Sequence, residues 1–265
     1  MSGAAFFDLD KTVIAKSSTL AFGKPFYQGG LVNRRAVLKS SYAQFVYLIA
    51  GADADQMDRM RDYLKTLCAG WSVEQVQAIV NETLHDLIDP LVYDEAVSLI
   101  EEHHAAGREV VIVSSSGEEV VGPIAAMVGA DRSIATRMVV ADGCYTGDIE
   151  FYAYGVHKAE AITALAVEQG WDLADSWAYS DSLTDLPMLE LVGHPVAVNP
   201  DKALRRAAGE RGWEVRDFVR PVSLRSRVAS MSRPPGHVLA GAAVGVGAAA
   251  IGWRMLAARR RSRDM

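Results

Sequence analysis

Short apolar runs alternate with amphipathic stretches through the second half of the chain, and this alternation restricts the fold more than any other feature. Residues 109–113 form a nearly continuous apolar run, which is typical of a strand buried on both faces of a parallel sheet. Later strand-like runs lie at residues 176–179, 195–198 and 213–215. A helical pattern at 157–169 precedes the first of these runs, and another at 201–211 separates the last two. Because strands that alternate with helices form parallel sheets with right-handed crossovers, we expect an α/β core.

One hairpin interrupts this alternation. Residues 137–140 and 145–151 are strand-like and flank Asp142-Gly143, a dipeptide that favours a tight turn between antiparallel strands.

The region between residues 33 and 106 has the spacing of helices. The pattern predicts four of them, over residues 33–50, 53–69, 72–88 and 93–106. Ser72 caps the third helix and Asp89-Pro90 ends it. The first three form an insertion, and the fourth leads into the strand at residue 109 as a crossover helix does.

The chain opens with the run FFDLDKT over residues 6–12. An apolar strand ends there in two carboxylates, Asp8 and Asp10, at the edge where parallel sheets bind ligands. Two close carboxylates repel each other unless a cation lies between them or one keeps a proton. The alternative is a helix cap, but a single Asp would be enough for that.

Other strand ends and one helix start carry matching chemistry. Ser114 and Asp181 each follow a strand, and Lys158 opens a helix. Carboxylates without thiolate or histidine partners suit Mg²⁺, which leaves room for a substrate phosphate. The hydroxyl and the ammonium are suited to phosphate oxygens. The net charge of −6 argues against a nucleic-acid surface.

The two cysteines and the N-terminal residues indicate the cellular compartment of the protein. Cys68 and Cys144 are far apart and form no CxxC motif, which suits a reducing compartment and excludes a thiolate metal site. The chain enters a strand almost at once, without the pattern of a signal peptide. We expect a cytoplasmic catalytic domain.

The ordered motifs resemble those of the haloacid dehalogenase (HAD) superfamily. Residues 7–12 are similar to its first motif, which is hhhDxDx followed by Thr or Val. Residues 111–114 are similar to its second motif, Lys158 to its third and residues 180–185 to its fourth. The resemblance implies a Rossmann-like three-layer core over residues 1–16 and 93–219. The helical insertion, residues 17–92, resembles the cap of the phosphoserine-phosphatase-like branch, subfamily IB.

This resemblance implies a role for each catalytic residue. Asp8 would be the nucleophile that becomes an aspartyl-phosphate, and Asp10 the general acid and then the base. Ser114 would bind a phosphoryl oxygen, and Lys158 would balance negative charge.

The resemblance also implies a metal and a substrate site. Mg²⁺ would be held by the Asp8 carboxylate, the Asp10 backbone carbonyl and Asp181. Asp185 would be a further ligand or a residue that contacts the ligands. The residues expected to contact substrate are Lys11, Thr12 and Ser115.

The expected function is Mg²⁺-dependent hydrolysis of a small phosphorylated metabolite or a lipid phosphate. Phosphoserine phosphatase proper is an alternative. In that branch an acidic residue soon after the first motif reads the substrate's amino group, whereas residues 15–19 contain no acid, which favours another substrate. A non-hydrolytic aspartyl-phosphate signalling protein is a further alternative. Asp10 argues against it, because a phospho-acceptor needs no acid for a leaving alcohol.

The C-terminal end has a different character. Residues 220–236 form a basic linker, and residues 238–253 carry no charge. The sixteen residues reach only ~24 Å as a helix, against a hydrocarbon core of ~30 Å. Extended to Ala258, with Arg254 reaching the headgroups, the segment is just long enough to span. We therefore expect residues 237–265 to form a membrane-associated, transmembrane helix with a basic tail; a helix lying on the surface and a soluble tail remain as alternatives. Gly241 and Gly245 form a GxxxG face that would allow a homodimer.

Overall fold

The computed structural model describes residues 2–31 and 65–221, together with residue 224. The chain forms two compact units, Met1–Ser223 and Leu224–Met265, and nearly all of the second lies outside the described residues. The predicted helix over 33–50, most of that over 53–69, and the predicted tail helix with its glycine pair also lie outside them.

The described strands form one sheet of seven strands in the order β4-β3-β2-β1-β5-β6-β7. Their bounds are β1 Ala5–Phe7, β2 Val110–Gly117, β3 Arg132–Ala141, β4 Cys144–Phe151, β5 Trp177–Ser180, β6 His194–Val198 and β7 Glu214–Arg216. All neighbouring pairs are parallel except β3 and β4, which form the antiparallel hairpin. The predicted α/β core with a mostly parallel sheet is confirmed.

Helices connect these strands. The described ones are α1 Ser18–Ala21, α2 Gly23–Gln28, α3 Val73–Ile88, α4 Asp94–Ala105, α5 Glu118–Val128, α6 Val156–Gln169, α7 Leu186–Glu190 and α8 Lys202–Arg211, with 3₁₀ turns at Asp89–Leu91, Leu173–Asp175 and Leu183–Asp185. Ser72 caps α3 as predicted, since its Oγ accepts from the Gln75 N–H at 3.2 Å. Gly170 and Gly212 end α6 and α8 with φ of 73° and 68°, a left-handed conformation that glycine adopts without steric cost.

Strand β2 is longer than the sequence pattern predicts. The apolar run ends at Val113, but the strand continues through the three serines to Gly117, with a shift of register against β3 between Ser114 and Gly117. Ser114 and Ser116 are buried, whereas Ser115 between them is exposed.

Apolar side chains from the central strands and the helices that cover them form the hydrophobic core. Phe6, Val111, Ala178 and Ala197 come from four different strands, and Ile162 of α6 packs among them. Burial of these side chains fixes the register of the strands, because a slip of one residue would turn them to the opposite face. The strand ends are thereby held at a common level.

The prediction of a transmembrane helix is corrected for the described part of the chain. None of the helices there is long and apolar enough to cross a bilayer. The longest of them, α3, has 16 residues and would reach only ~24 Å, less than the ~30 Å of a hydrocarbon core.

Candidate active site

Three neighbouring strands reach one edge of the sheet, where β1 and β5 end and β2 continues through its serines. Phe7 is in register with Ile112 of β2 and with Tyr179 of β5. Asp8 follows directly, and its N–H donates to the Tyr179 carbonyl at 2.9 Å. The side chains that come after these strand ends therefore converge, as expected for the carboxyl edge of a parallel sheet.

Lys158 lies between two buried carboxylates. Its Nζ donates to Asp8 Oδ1 at 2.7 Å and to Asp185 Oδ2 at 2.8 Å. All three side chains are buried, with Lys158 only 2% exposed. Ser180 Oγ donates to the same oxygen of Asp185 at 2.7 Å, which fixes the carboxylate that orients the lysine.

Burial and charge set the protonation of this group. Burial, together with the nearby Asp185 and Asp181, raises the pKa of Asp8 well above its ordinary value, although Lys158 opposes this. For Lys158 burial favours the neutral amine, but Asp185 and Asp8 outweigh it and raise the pKa of the ammonium. The lysine therefore stays charged, and it lies among more carboxyl groups than one ammonium can pair with.

Asp181 lies beside this group. Burial raises its pKa to about 7, since the attraction of Lys11 offsets burial only in part and Asp185 adds to it. Lys11 Nζ lies 3.7 Å from Asp181 Oδ2. The Lys11 backbone has a φ of 63°, a strained value for a residue other than glycine. Asp201 supports the Asp181 backbone, because its N–H donates to the Asp181 carbonyl at 2.8 Å.

Asp10 is held by the start of α1. The Ser18 N–H donates to Asp10 Oδ1 at 2.8 Å. Burial raises the pKa of the Asp10 carboxyl, while the Ser18 N–H and the Ser18 and Ser17 hydroxyls oppose this rise. A carboxyl whose pKa is raised keeps a proton more readily at neutral pH, as a general acid requires.

The remaining predicted residues differ in their surroundings. Ser114 is 1% exposed, and its Oγ accepts from the Ser116 N–H at 3.2 Å. The carbonyl of exposed Ser115 accepts from Thr136 Oγ1 at 2.7 Å. Thr12 is completely buried, and within the described residues its Oγ1 has no hydrogen-bond partner.

The structure brings together Asp8, Lys158, Asp181 and Asp185, which the sequence predicted as one site. Three residues that sequence reasoning missed also belong to it: Ser180, which binds Asp185, and Ser18 and Ser116, which lie next to Asp10 and Ser114. A lone serine has no periodic signature, so the hydrophobic pattern of the sequence did not indicate these roles.

The described carboxylates do not by themselves form a complete set of metal ligands. Among residues 2–31 and 65–221, no group of three or more His, Cys, Asp or Glu side chains could by itself hold a metal ion. Any cation here would need backbone or substrate oxygens as well as the side chains.

Known proteins resemble this chain along most of its length. The model of the haloacid dehalogenase-like hydrolase family matches residues 5–190. The "Inhibition of morphological differentiation protein" of Streptomyces azureus is 66% identical over 261 residues, covering 98% of this chain and 94% of that protein. A probable phosphatase of Mycobacterium tuberculosis is 60% identical over 258 residues, covering 97% and 89%. A phosphoserine phosphatase of the same organism is 34% identical over 265 residues, covering 99% and 82%.

Proposed function

The chain belongs to the haloacid dehalogenase-like hydrolase family and is a phosphatase of that family, and we propose from this premise that it hydrolyses a small phosphomonoester through an aspartyl-phosphate on Asp8. The observation that carries the proposal is the position of Lys158, buried between Asp8 and Asp185 at the carboxyl edge of the sheet.

Asp8 has one oxygen held and one available. Lys158 binds Oδ1, and among the described residues none donates a hydrogen bond to Oδ2, so Oδ2 is the atom we assign to attack phosphorus. The attack forms the Oδ2–P bond and breaks the bond from phosphorus to the ester oxygen. The ammonium of Lys158 stabilises the negative charge that gathers between the carboxylate and the phosphoryl group.

Ser114 is suited to bind a phosphoryl oxygen. Its Oγ already accepts from the Ser116 N–H, which leaves the hydroxyl proton to be donated. A buried donor of this kind is worth more than one in water, because the surroundings are less polar.

Asp10 carries the proton in both halves of the reaction. It gives its proton to the departing alkoxide, then takes one from the water that attacks the aspartyl-phosphate, which releases phosphate and restores Asp8. The raised pKa of Asp10 supports its first role, since the acid must hold a proton before the ester bond breaks.

The donor set fits Mg²⁺. The expected ligands are the carboxylates of Asp8 and Asp181 and the carbonyl of Asp10, so two side chains suffice and a group of three is not required. Hard oxygen donors and excess negative charge are what this ion prefers. When bound, it supplies the positive charge that lets an anionic carboxylate approach an anionic phosphate. For Asp185 we predict one of two roles: a further ligand of the ion, or a residue that only orients Lys158.

Phosphoserine is the second candidate substrate. The 34% identical relative that is named a phosphoserine phosphatase favours it. The absence of an acid in residues 15–19 favours a leaving group without an amine.

Phosphate release from a panel of esters tests the proposal. The panel holds phosphoserine, histidinol phosphate, sugar phosphates and lysophosphatidic acid, each with Mg²⁺ or with a chelator. We expect Mg²⁺-dependent release that disappears in Asp8→Asn. Asp86→Asn, at an exposed position of α3, makes the same chemical change away from the site and should keep the wild-type rate. Stable phosphorylation of Asp8 without release from any ester would overturn hydrolysis in favour of a signalling role.

A further inference from the structure

A small group of hydroxyls joins the end of β2 to α1. Ser116 Oγ lies 2.9 Å from Ser18 Oγ and 3.2 Å from Thr19 Oγ1. Ser18 is completely buried and Ser116 is 8% exposed. Because little water reaches Ser18 and Ser116, the contact between their hydroxyls ties the first turn of α1 to residue 116 more firmly than an exposed pair would.

Ser116 also lies between the residue assigned to a phosphoryl oxygen and the residue assigned to the leaving oxygen. Its N–H donates to Ser114 Oγ, the group assigned to a phosphoryl oxygen. Through its hydroxyl it contacts Ser18, whose N–H donates to Asp10 Oδ1 at 2.8 Å. One residue thus connects the side chain that binds the phosphoryl group to the side chain that serves the leaving oxygen.

We propose that Ser116 is a positioning residue, which acts through Ser18 to hold Asp10 in place for proton transfer to the leaving alkoxide. The inference rests on the proposed role of Asp10 as the general acid. The Ser18 N–H fixes Oδ1, so the position of the Asp10 carboxyl depends on the position of the first turn of α1. Without the Ser116 hydroxyl, α1 loses its tie to β2, and a displacement of about 1 Å can cost on the order of 10²-fold in rate.

The dependence of the rate on the leaving group tests this role. An alkoxide is a poor leaving group and needs the proton of Asp10, whereas 2,4-dinitrophenolate departs without one. A defect in the position of the acid therefore slows alkyl esters selectively. A defect in phosphate binding or in folding slows all esters alike.

The experiment measures kcat/KM for an alkyl phosphate, phenyl phosphate, 4-nitrophenyl phosphate and 2,4-dinitrophenyl phosphate. This constant covers only the steps up to the first irreversible one, so the later work of Asp10 as a base does not enter. For Ser116→Ala we expect a loss of about 10- to 100-fold on the alkyl ester, within the range for general acid catalysis, and little change on 2,4-dinitrophenyl phosphate. Ser116→Thr keeps the hydroxyl and should recover most of the loss.

Further variants distinguish the outcomes. Ser18→Ala breaks the same hydroxyl contact from the other side and keeps the Ser18 N–H, but it also removes the Ser18 hydroxyl from the surroundings of Asp10. It should therefore show at least the same selectivity, and agreement between the two variants would argue against misfolding of one of them. Ser176→Ala is the matched control, since this buried serine binds the Ala4 N–H and the Asp172 carbonyl at the opposite edge of the sheet. It should leave the dependence on leaving group unchanged.

Two results would overturn the inference: an equal loss on every ester in Ser116→Ala, or no loss on any. Both leave the proposed function standing, provided that the wild type is active. A wild type that releases phosphate from none of the esters would instead remove the proposed function itself.

Discussion

Lys158 and Asp8 are 150 residues apart in sequence, and in the fold Lys158 Nζ donates to Asp8 Oδ1 at 2.7 Å. The same ammonium donates to Asp185, so that one cation serves two carboxylates in a buried place. Breaking a buried ion pair is costly because it leaves an uncompensated charge. The carboxyl groups here outnumber the ammonium, which suits a site that takes up a divalent cation.

Removal of this cation should abolish most of the activity. In Lys158→Met no positive side chain remains between Asp8 and Asp185, and we expect kcat/KM for 4-nitrophenyl phosphate to fall on the order of 10²- to 10³-fold, as for loss of one electrostatic group of an active site. Lys202→Met, at an exposed position of α8, is the control and should keep wild-type activity. A Lys158→Met protein as active as the wild type would contradict the assigned role.

Ser180 stabilises the site more than it contributes to the reaction. Its hydroxyl donates to Asp185 Oδ2 from a completely buried position. Ser180→Gly should lower the free energy of unfolding by ~1.5–3 kcal/mol, the value of a hydrogen bond to a charged group, as measured by urea denaturation. Because Lys158 still holds Asp185, kcat/KM should change much less than in Lys158→Met.

A double-mutant cycle checks the cause of that loss. In an Asp185→Asn background the charged acceptor is absent, so Ser180→Gly should cost less than in the wild type. Equal costs in the two backgrounds would show that the Ser180 hydroxyl stabilises the fold through some other contact.

Asp201 links the cap of a helix to the candidate metal site. Its Oδ1 accepts from the Leu204 N–H at 2.7 Å at the start of α8, and its Oδ2 accepts from the Leu183 N–H at 3.2 Å. Asp201→Ala should lose about 1 kcal/mol of stability through the missing cap. It should also raise the Mg²⁺ concentration needed for half-maximal phosphate release, because the turn that contains Asp185 loses a support.

Asp201→Ser separates the two effects. A serine hydroxyl can cap α8 but cannot reach both N–H groups at once, so thermal stability should largely return while the Mg²⁺ requirement stays raised. An unchanged Mg²⁺ requirement in both variants would show that the bond to Leu183 does not position the site.

The sequence predicted the catalytic side chains better than the side chains that hold them in place. Asp8 was predictable because it follows a buried strand, and parallel strands bring such positions to one edge. Lys158 and Asp185 were predictable because the ordered motifs resemble those of the HAD superfamily. The contact between Ser18 and Ser116 joins residues 98 apart, and hydroxyl pairs leave no periodic trace in a sequence. The extension of β2 through its serines was missed for a related reason, since it depends on an irregular pairing with β3 and not on apolar residues.

His103 should make stability depend on pH. Its side chain is 3% exposed, Arg108 Nε donates to its Nδ1 at 2.8 Å, and its Nε2 lies 2.9 Å from the Tyr179 hydroxyl. A proton on Nδ1 would face the Arg108 donor, so Nε2 carries the single proton and donates to Tyr179. Burial, reinforced by the charge of Arg108, lowers the pKa of His103 to about 4.

Between pH 4 and the ordinary histidine pKa of about 6.5, the unfolded chain binds more protons at this position than the folded chain does, and stability therefore rises with pH. The contribution of His103 is fully present above about pH 6.5 and is lost as the pH falls toward 4, by at most about 3 kcal/mol for the whole shift. Urea denaturation at pH 7 and at pH 4.5 should show a smaller difference in His103→Gln, which can still donate and accept but does not titrate. His85→Gln, at an exposed position of α3, should retain the wild-type difference. If His103→Gln shows the wild-type difference as well, the buried imidazole is not the group whose protonation destabilises the fold.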